Sequence, residues 1–188
     1  MTTIINLFGG PGSGKSTTAA GVFSALKQQG YLIEYVSEYA KDVTYEGTLA
    51  LLSNQLHIFS EQFRRQFRLL DQVDWVITDS PILLSSVYFK HYLEKTKFAG
   101  FTKEYQKNII DFFDNTFSEF KNINVYIERN KPYVKIGRNQ TEEEAIEIDK
   151  IIFEKLHSSK KYKLDLVTNS QNAVEDVVDL VKLWSEHN

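Results

Sequence analysis

Residues Gly9 to Thr17 read Gly-Gly-Pro-Gly-Ser-Gly-Lys-Ser-Thr and follow without a break on the apolar run Ile4, Ile5, Asn6, Leu7, Phe8. An apolar strand that runs into a glycine-rich turn and then into a helix leaves few folds open. The spacing Gly-x-x-x-x-Gly-Lys-Ser is met by Gly9, Gly14, Lys15 and Ser16, and each residue type has a mechanical reason. Glycines let successive backbone N–H groups turn inward around an anion, the lysine reaches β and γ phosphates, and the serine hydroxyl can hold a Mg²⁺. The helix that begins there adds its dipole. Gly10, Pro11, Gly12, Ser13, Gly14, Lys15, Ser16 and Thr17 are therefore expected to wrap the phosphates of a nucleotide. A dinucleotide-binding fold is set aside, because Thr17 stands where its third glycine belongs.

A chain of 188 residues predicts a single domain with a core large enough to need no covalent staples. The absence of cysteine excludes disulfides and thiolate metal sites, and points to a reducing, cytoplasmic compartment. The first apolar stretch is short and lacks a basic flank, so no signal peptide is expected. No run approaches the ~20 apolar residues that span a bilayer, so a soluble protein without a membrane partner is expected. A net charge of −3 and a pI near 5.8 supply no basic field for collecting nucleic acid, which makes a polynucleotide partner disfavoured. The arginines fall in two places only, Arg64, Arg65 and Arg68 in one and Arg129 and Arg138 in the other. Arginine suits bidentate phosphate contact, whereas the lysines are scattered as solubilising charge.

The elements alternate. Strands are expected at 3–8, 31–37, 75–78, 123–127 and 163–168. Helices are expected at 15–29, 88–93, 104–120 and 173–184, with another opened by the Thr141 to Glu144 capping box. A loop around 41–47 should lead to a long helix capped by Thr48, with Leu51, Leu52, Leu56, Phe59, Phe63, Phe67 and Leu70 at helical spacing. Alternating strands and helices imply a parallel sheet covered on both faces, with ligands outside the carboxyl ends of the strands. That rule gathers Gly9, Glu38, Asp79 and Arg129 on one edge. Tyr105, Phe112, Phe113, Phe117 and Phe120 keep helical spacing and read as core.

Asp79 ends an apolar strand where a phosphate-loop enzyme carries the carboxylate that approaches Mg²⁺, so it is a candidate metal ligand or general base. Glu38 follows the second strand, across the crevice from the phosphate loop, where an acceptor hydroxyl must lie. The choice of base between Glu38 and Asp79 stays open. Arg129 and Arg138 flank an aperiodic basic stretch that can close as a lid and place guanidinium charge on a moving phosphoryl group. The long helix carries Gln55 and Gln62, whose amides offer a donor and an acceptor for reading a base or carboxamide edge. The four histidines show no metal-ligand spacing.

Taken together, the Gly9 to Thr17 loop, Glu38-Tyr39-Ala40, the Gln55-bearing helix, Asp79-Ser80-Pro81 and the Arg138 segment resemble the small P-loop kinases, nearest the ribosylnicotinamide kinase-like group and more distantly the deoxynucleoside and nucleoside monophosphate kinases. The resemblance covers nearly the whole chain. It implies a three-layer αβα sandwich around a five-stranded parallel sheet, a lid over about 128–141, ATP with Mg²⁺ held by Ser16 and Asp79, and transfer of the γ phosphate to a hydroxyl or phosphate of a nucleoside-like acceptor. In deoxynucleoside kinases a glutamate after the second strand is the base and a glutamine on the following helix reads the nucleobase, which Glu38 and Gln55 match. Ser80 stands where those enzymes place an arginine, and kinase activity alone is expected to carry over. Rival classes remain: a kinase of nucleic acid or of a modified DNA base, or a nucleotide-binding ATPase or regulator. A GTPase is disfavoured because Asn130-Lys131-Pro132-Tyr133 lacks the guanine-reading aspartate, and a motor ATPase because Asp79-Ser80 supplies one acid rather than two.

Overall fold

A computed structural model describes residues 1–96 and 100–187. Its sheet contains β1 (Thr3–Phe8), β2 (Ile33–Val36), β3 (Trp75–Thr78), β4 (Lys121–Glu128) and β5 (Leu166–Asn169), in the order β2-β3-β1-β4-β5. Every pairing is parallel. β1 lies at the centre and is buried along its whole length, which explains its continuous apolar run in place of an alternating one.

Strand alternation divides the core in two. Ile5 and Leu7 of β1 and Ile123, Val125 and Ile127 of β4 pack with α1 (Lys15–Gln28) and with a C-terminal helix, Ala173–His187. Phe8 and Tyr126 face the other layer, which meets helices Gln55–Phe67, Leu84–Thr96, Lys103–Ser118 and Glu142–Ser158. With α2 at Tyr39–Tyr45, these helices are α3, α4, α5, α6 and, at the C-terminus, α7. The result is the expected three-layer αβα sandwich around a five-stranded parallel sheet.

Several expected boundaries are corrected. The segment read as a loop around 41–47 is mostly α2, ended at Gly47, whose φ is +74°. The long helix does not begin at Thr48: Leu49–Ser53 forms a 3₁₀ turn, and the chain leaves helical geometry at Asn54. The Asn54 carboxamide accepts from His57 N–H at 3.2 Å and starts α3 there, the competition with the backbone that asparagine offers. Leu51, Leu56 and Phe67, expected inside, are exposed, while Gln55, Gln62 and Gln66 share the buried face with Ile58 and Phe59. In α5 only Phe113 and Phe117 of the aromatic series are fully buried, with Tyr105 and Phe112 exposed. α4 begins at Leu84 and not near Tyr88; residues 84–87 are all buried, so they carry no polar periodicity to read. The aperiodic stretch spans 129–140 without helix or strand, and the Thr141 to Glu144 capping box is formed.

Candidate active site

The turn between β1 and α1 has the backbone its glycines imply. Gly12 has a φ of +84°, and a Cβ there would lie 3.1 Å from Arg129 Nη1 and 3.2 Å from the Tyr133 ring. Only glycine admits that approach. Gly14 occupies the N-cap of α1 in the left-handed region, with no side-chain cap, so the first-turn N–H groups have no side-chain acceptor. Lys15 Nζ donates to the carbonyls of Gly9 and Gly10 at 2.7 and 2.9 Å. Burial holds its ammonium below the ordinary lysine range, opposed by the charges of Glu38 and Asp79.

Four buried side-chain atoms near this turn have no hydrogen-bond partner among the described residues: Ser13 Oγ, Arg129 Nη1, Arg138 Nη1 and Asp79 Oδ1. Leaving such atoms bare costs about 1–3 kcal/mol each. The two guanidinium nitrogens and the hydroxyl beside a glycine turn fit an anion, while the bare carboxylate oxygen fits a cation. Asp79, at the end of β3, is 2% exposed, and the Tyr35 hydroxyl bonds to its carboxylate.

Beside the turn opens a cleft of about 260 Å³, bordered by Lys15, Ser16 and Thr17 at one end and by Gln55, Tyr88 and Tyr92 at the other. Glu38 is the only carboxylate among its described lining residues, and Asp79 is not among them. Glu38 occupies the N-cap of α2 without using its side chain as a cap. Burial pushes its carboxyl up from the usual range, with Lys15 opposing and Asp79 adding to the rise. Tyr88, a neighbour of Glu38, has its phenol pushed up by burial and by that charge.

The two glutamines differ. Gln55 donates to Leu52 O at 2.6 Å, and its Oε1 is buried without a partner among the described residues. Gln62 also lines the cleft, but both ends of its amide are engaged: Oε1 accepts from Tyr39 N–H at 2.9 Å, and Nε2 donates to Ser37 O at 3.3 Å. It braces the turn that carries Glu38.

Arg129 and Arg138 do not share one situation. Arg129 follows β4 directly, and its Nε and Nη2 both meet Asp149 Oδ2 at 2.8 Å, with Nη2 also on Pro11 O at 2.7 Å. It is anchored to the phosphate loop at the start of the irregular segment 129–140. Arg138 belongs to the irregular segment; Tyr133 lies between the two guanidinium groups, 5.8 Å from Arg129 and 5.3 Å from Arg138. The segment meets α2 and α4 across the cleft: a Cβ on Gly137 would lie 2.7 Å from the Tyr45 hydroxyl, and Tyr92 bonds to Asn139. Asp149, in α6, and Tyr35, in β2, went unread in the sequence. Asp149 shares helical phase with Ala145, Ile148 and Ile152, all buried, and a charge in an apolar stripe is a signal of a partnered group.

Comparison with known proteins places the chain. A family profile described as an AAA domain matches residues 4–171. No protein of curated function matches the sequence. Among solved structures, deoxyadenosine kinase from M. mycoides with bound dCTP superposes with a TM-score of 0.57 at 20% identity, covering 98% of this chain and 100% of that one. The same enzyme with bound dATP gives 0.55 at 19%, covering 97% and 99%. NadR protein in complex with NR gives 0.60 at 14%; it covers 96% of this chain, which spans 50% of the NadR chain. At these identities the likeness is one of fold, that of the P-loop nucleoside kinase-like group. No helix among the described residues is long and apolar enough to cross a membrane.

Proposed function

Starting from the fact that this chain belongs to the AAA domain family and has a P-loop kinase fold, we propose that it transfers the γ phosphate of ATP to a hydroxyl of a small, uncharged nucleoside-like molecule. The observation that carries this reading is the cleft that joins the phosphate loop to Glu38. A triphosphate on the glycine-rich turn would present its terminal phosphate between Lys15 and Arg138, and an acceptor hydroxyl beyond it would meet Glu38, the one carboxylate on the wall. Glu38 is then the base, since Asp79 lies behind the wall and is tied to Tyr35.

The choice of a hydroxyl over a phosphate acceptor rests on charge. The cationic side chains lining the cleft are Lys15, Lys41 and Arg138, while the walls toward Gln55, Ile58, Ser85 and Tyr88 are neutral. With Lys15 and Arg138 given to the triphosphate, an acceptor phosphate would have Lys41 alone, and that ammonium lies within range of the Glu38 carboxylate, whereas a hydroxyl acceptor needs no cation. The unpartnered Gln55 Oε1 offers an acceptor to an N–H of the bound molecule. Ser16 would hold the magnesium that accompanies the triphosphate, with the Asp79 carboxylate reaching it through water from behind the wall, and the ion would supply charge neutralisation to the phosphates. Lys15 and Arg138 would draw charge off the moving group, and the segment 129–140 would keep out competing water. A polynucleotide acceptor has less support, because Arg64 and Arg65 are taken up by Glu61 at 3.1 Å and Asp42 at 2.6 Å.

Incubation with γ-labelled ATP and a panel of nucleosides, nucleotides, ribosylnicotinamide and oligonucleotides tests the reading. A free nucleoside-like hydroxyl is expected to gain label, and Lys15→Ala to lower the rate by about 10²–10³-fold with an unchanged melting curve. Binding of ATP with no labelled product from any acceptor would refute kinase activity.

A further inference from the structure

We propose that Asp149 is a positioning residue that locks Arg129 and the phosphate loop into one unit and so aims the remaining guanidinium nitrogen, Nη1, at the bound nucleotide. The inference rests on the reading that the loop takes a nucleoside triphosphate. Asp149 lies on the buried face of α6, and its side chain is 12% exposed. A carboxylate at such a depth is tolerated only when both oxygens are bonded. Here Oδ1 accepts the Gly10 N–H, while Oδ2 takes Nε and Nη2 of Arg129, both at 2.8 Å.

The packing leaves no slack. A Cβ on Gly10 would lie 2.6 Å from both Ala145 O and Asp149 Oδ1, so the backbone of the loop rests directly on α6. On the other side Arg129 Nη2 also holds Pro11 O at 2.7 Å. With Nε and Nη2 engaged, Nη1 is left buried and without a partner among the described residues, 3.1 Å from where a Gly12 Cβ would be. Asp149 thus turns a flexible five-donor group into one with two directed N–H groups, both on Nη1.

Charge gives the arrangement a second consequence. The Asp149 carboxylate lies next to the loop that must hold phosphates; Arg129 is its ion-pair partner, and the Lys15 ammonium, which the phosphates themselves would engage, acts on it from farther off. Removal of Arg129 alone would leave an uncompensated negative charge beside the triphosphate, whereas removal of both partners would not. The pair also ties the two ends of the irregular segment together, since Arg129 opens it and α6 begins just after it.

The test measures the Kd for ATP with magnesium by calorimetry on the full chain, as wild type and as Asp149→Asn, Arg129→Ala and Arg129→Ala/Asp149→Asn. Melting curves run alongside, and KM for the acceptor is measured separately. Asp149→Asn keeps an acceptor for Gly10 and is chosen because Asp149→Ala can lose the fold. The expected result is ATP binding at least tenfold weaker in Asp149→Asn with acceptor KM within twofold of wild type, and binding at least fivefold tighter in the double variant than in Arg129→Ala. Asp149→Asn binding ATP within twofold of wild type, or a double variant no better than Arg129→Ala, overturns the inference. Wild-type protein that folds but takes up no nucleoside triphosphate overturns instead the reading beneath it.

Discussion

At the scale of single residues the site is governed by unequal desolvation. Burial lifts the Glu38 carboxyl above its unfolded range and pushes the Lys15 ammonium down, so burial disfavours the charged form of each. For Glu38 the folded pKa lies above the unfolded one. Its stabilising contribution is therefore complete at acid pH and is lost as pH rises through the folded value. Glu38→Gln is expected to raise the melting temperature at about pH 8 and leave it nearly unchanged at about pH 3, where the carboxyl is protonated in both states. As the base, Glu38 must be ionised, so wild-type kcat/KM should fall with decreasing pH on a limb displaced above the ordinary carboxylate range. The glutamine variant should lose about 10²–10⁴-fold in phosphoryl transfer. A variant that turns over at the wild-type rate would remove Glu38 from the mechanism.

At the scale of elements, the cleft is built by segments that answer to it more than to their own periodicity. α3 buries Gln55 and Gln62 because its inner face borders the cleft and the β2–α2 turn, where Gln55 Nε2 meets Leu52 O and the Gln62 amide meets Tyr39 N–H and Ser37 O. The segment 129–140 has no helix or strand, so its shape depends on side-chain contacts, among them Tyr133 with the two arginines and with Gln140 O at 2.6 Å, Tyr92 with Asn139, and Tyr45 against Gly137. Gly137 has a φ of +73°, and a methyl group there would meet the Tyr45 hydroxyl. Gly137→Ala is expected to shift the segment and admit water, at a strain of about 1–3 kcal/mol. Measured as a ratio, ATP hydrolysis without acceptor should rise severalfold against transfer to acceptor. An unchanged ratio would mean that the segment does not gate water.

At the scale of the whole molecule, the parallel sheet brings the carboxyl ends of β1, β2, β3 and β4 together on one edge, so the phosphate loop, Glu38 and the two arginines meet although they are separated by up to 129 positions in the chain numbering, from Gly9 to Arg138. Ligand on such an edge links several elements at once. Magnesium and ATP at about 100 times Kd should stabilise the fold by about 2.7 kcal/mol. For a chain of this length that corresponds to a melting shift of roughly 5–11 °C, and no shift with nucleotide in large excess would count against triphosphate binding. The strand–loop–helix of residues 3–28, the parallel sheet and the capping box at Thr141 were all legible in the sequence, because each depends on backbone chemistry set by neighbours in the chain: glycine torsions, apolar runs and a hydroxyl three residues from a carboxylate. The tethering of Arg129 by Asp149, the bracing role of Gln62, and the place of Glu38 on the cleft wall with Asp79 behind it were decided only by tertiary packing. Each depends on which distant side chain fills the space alongside, and local periodicity carries no record of that.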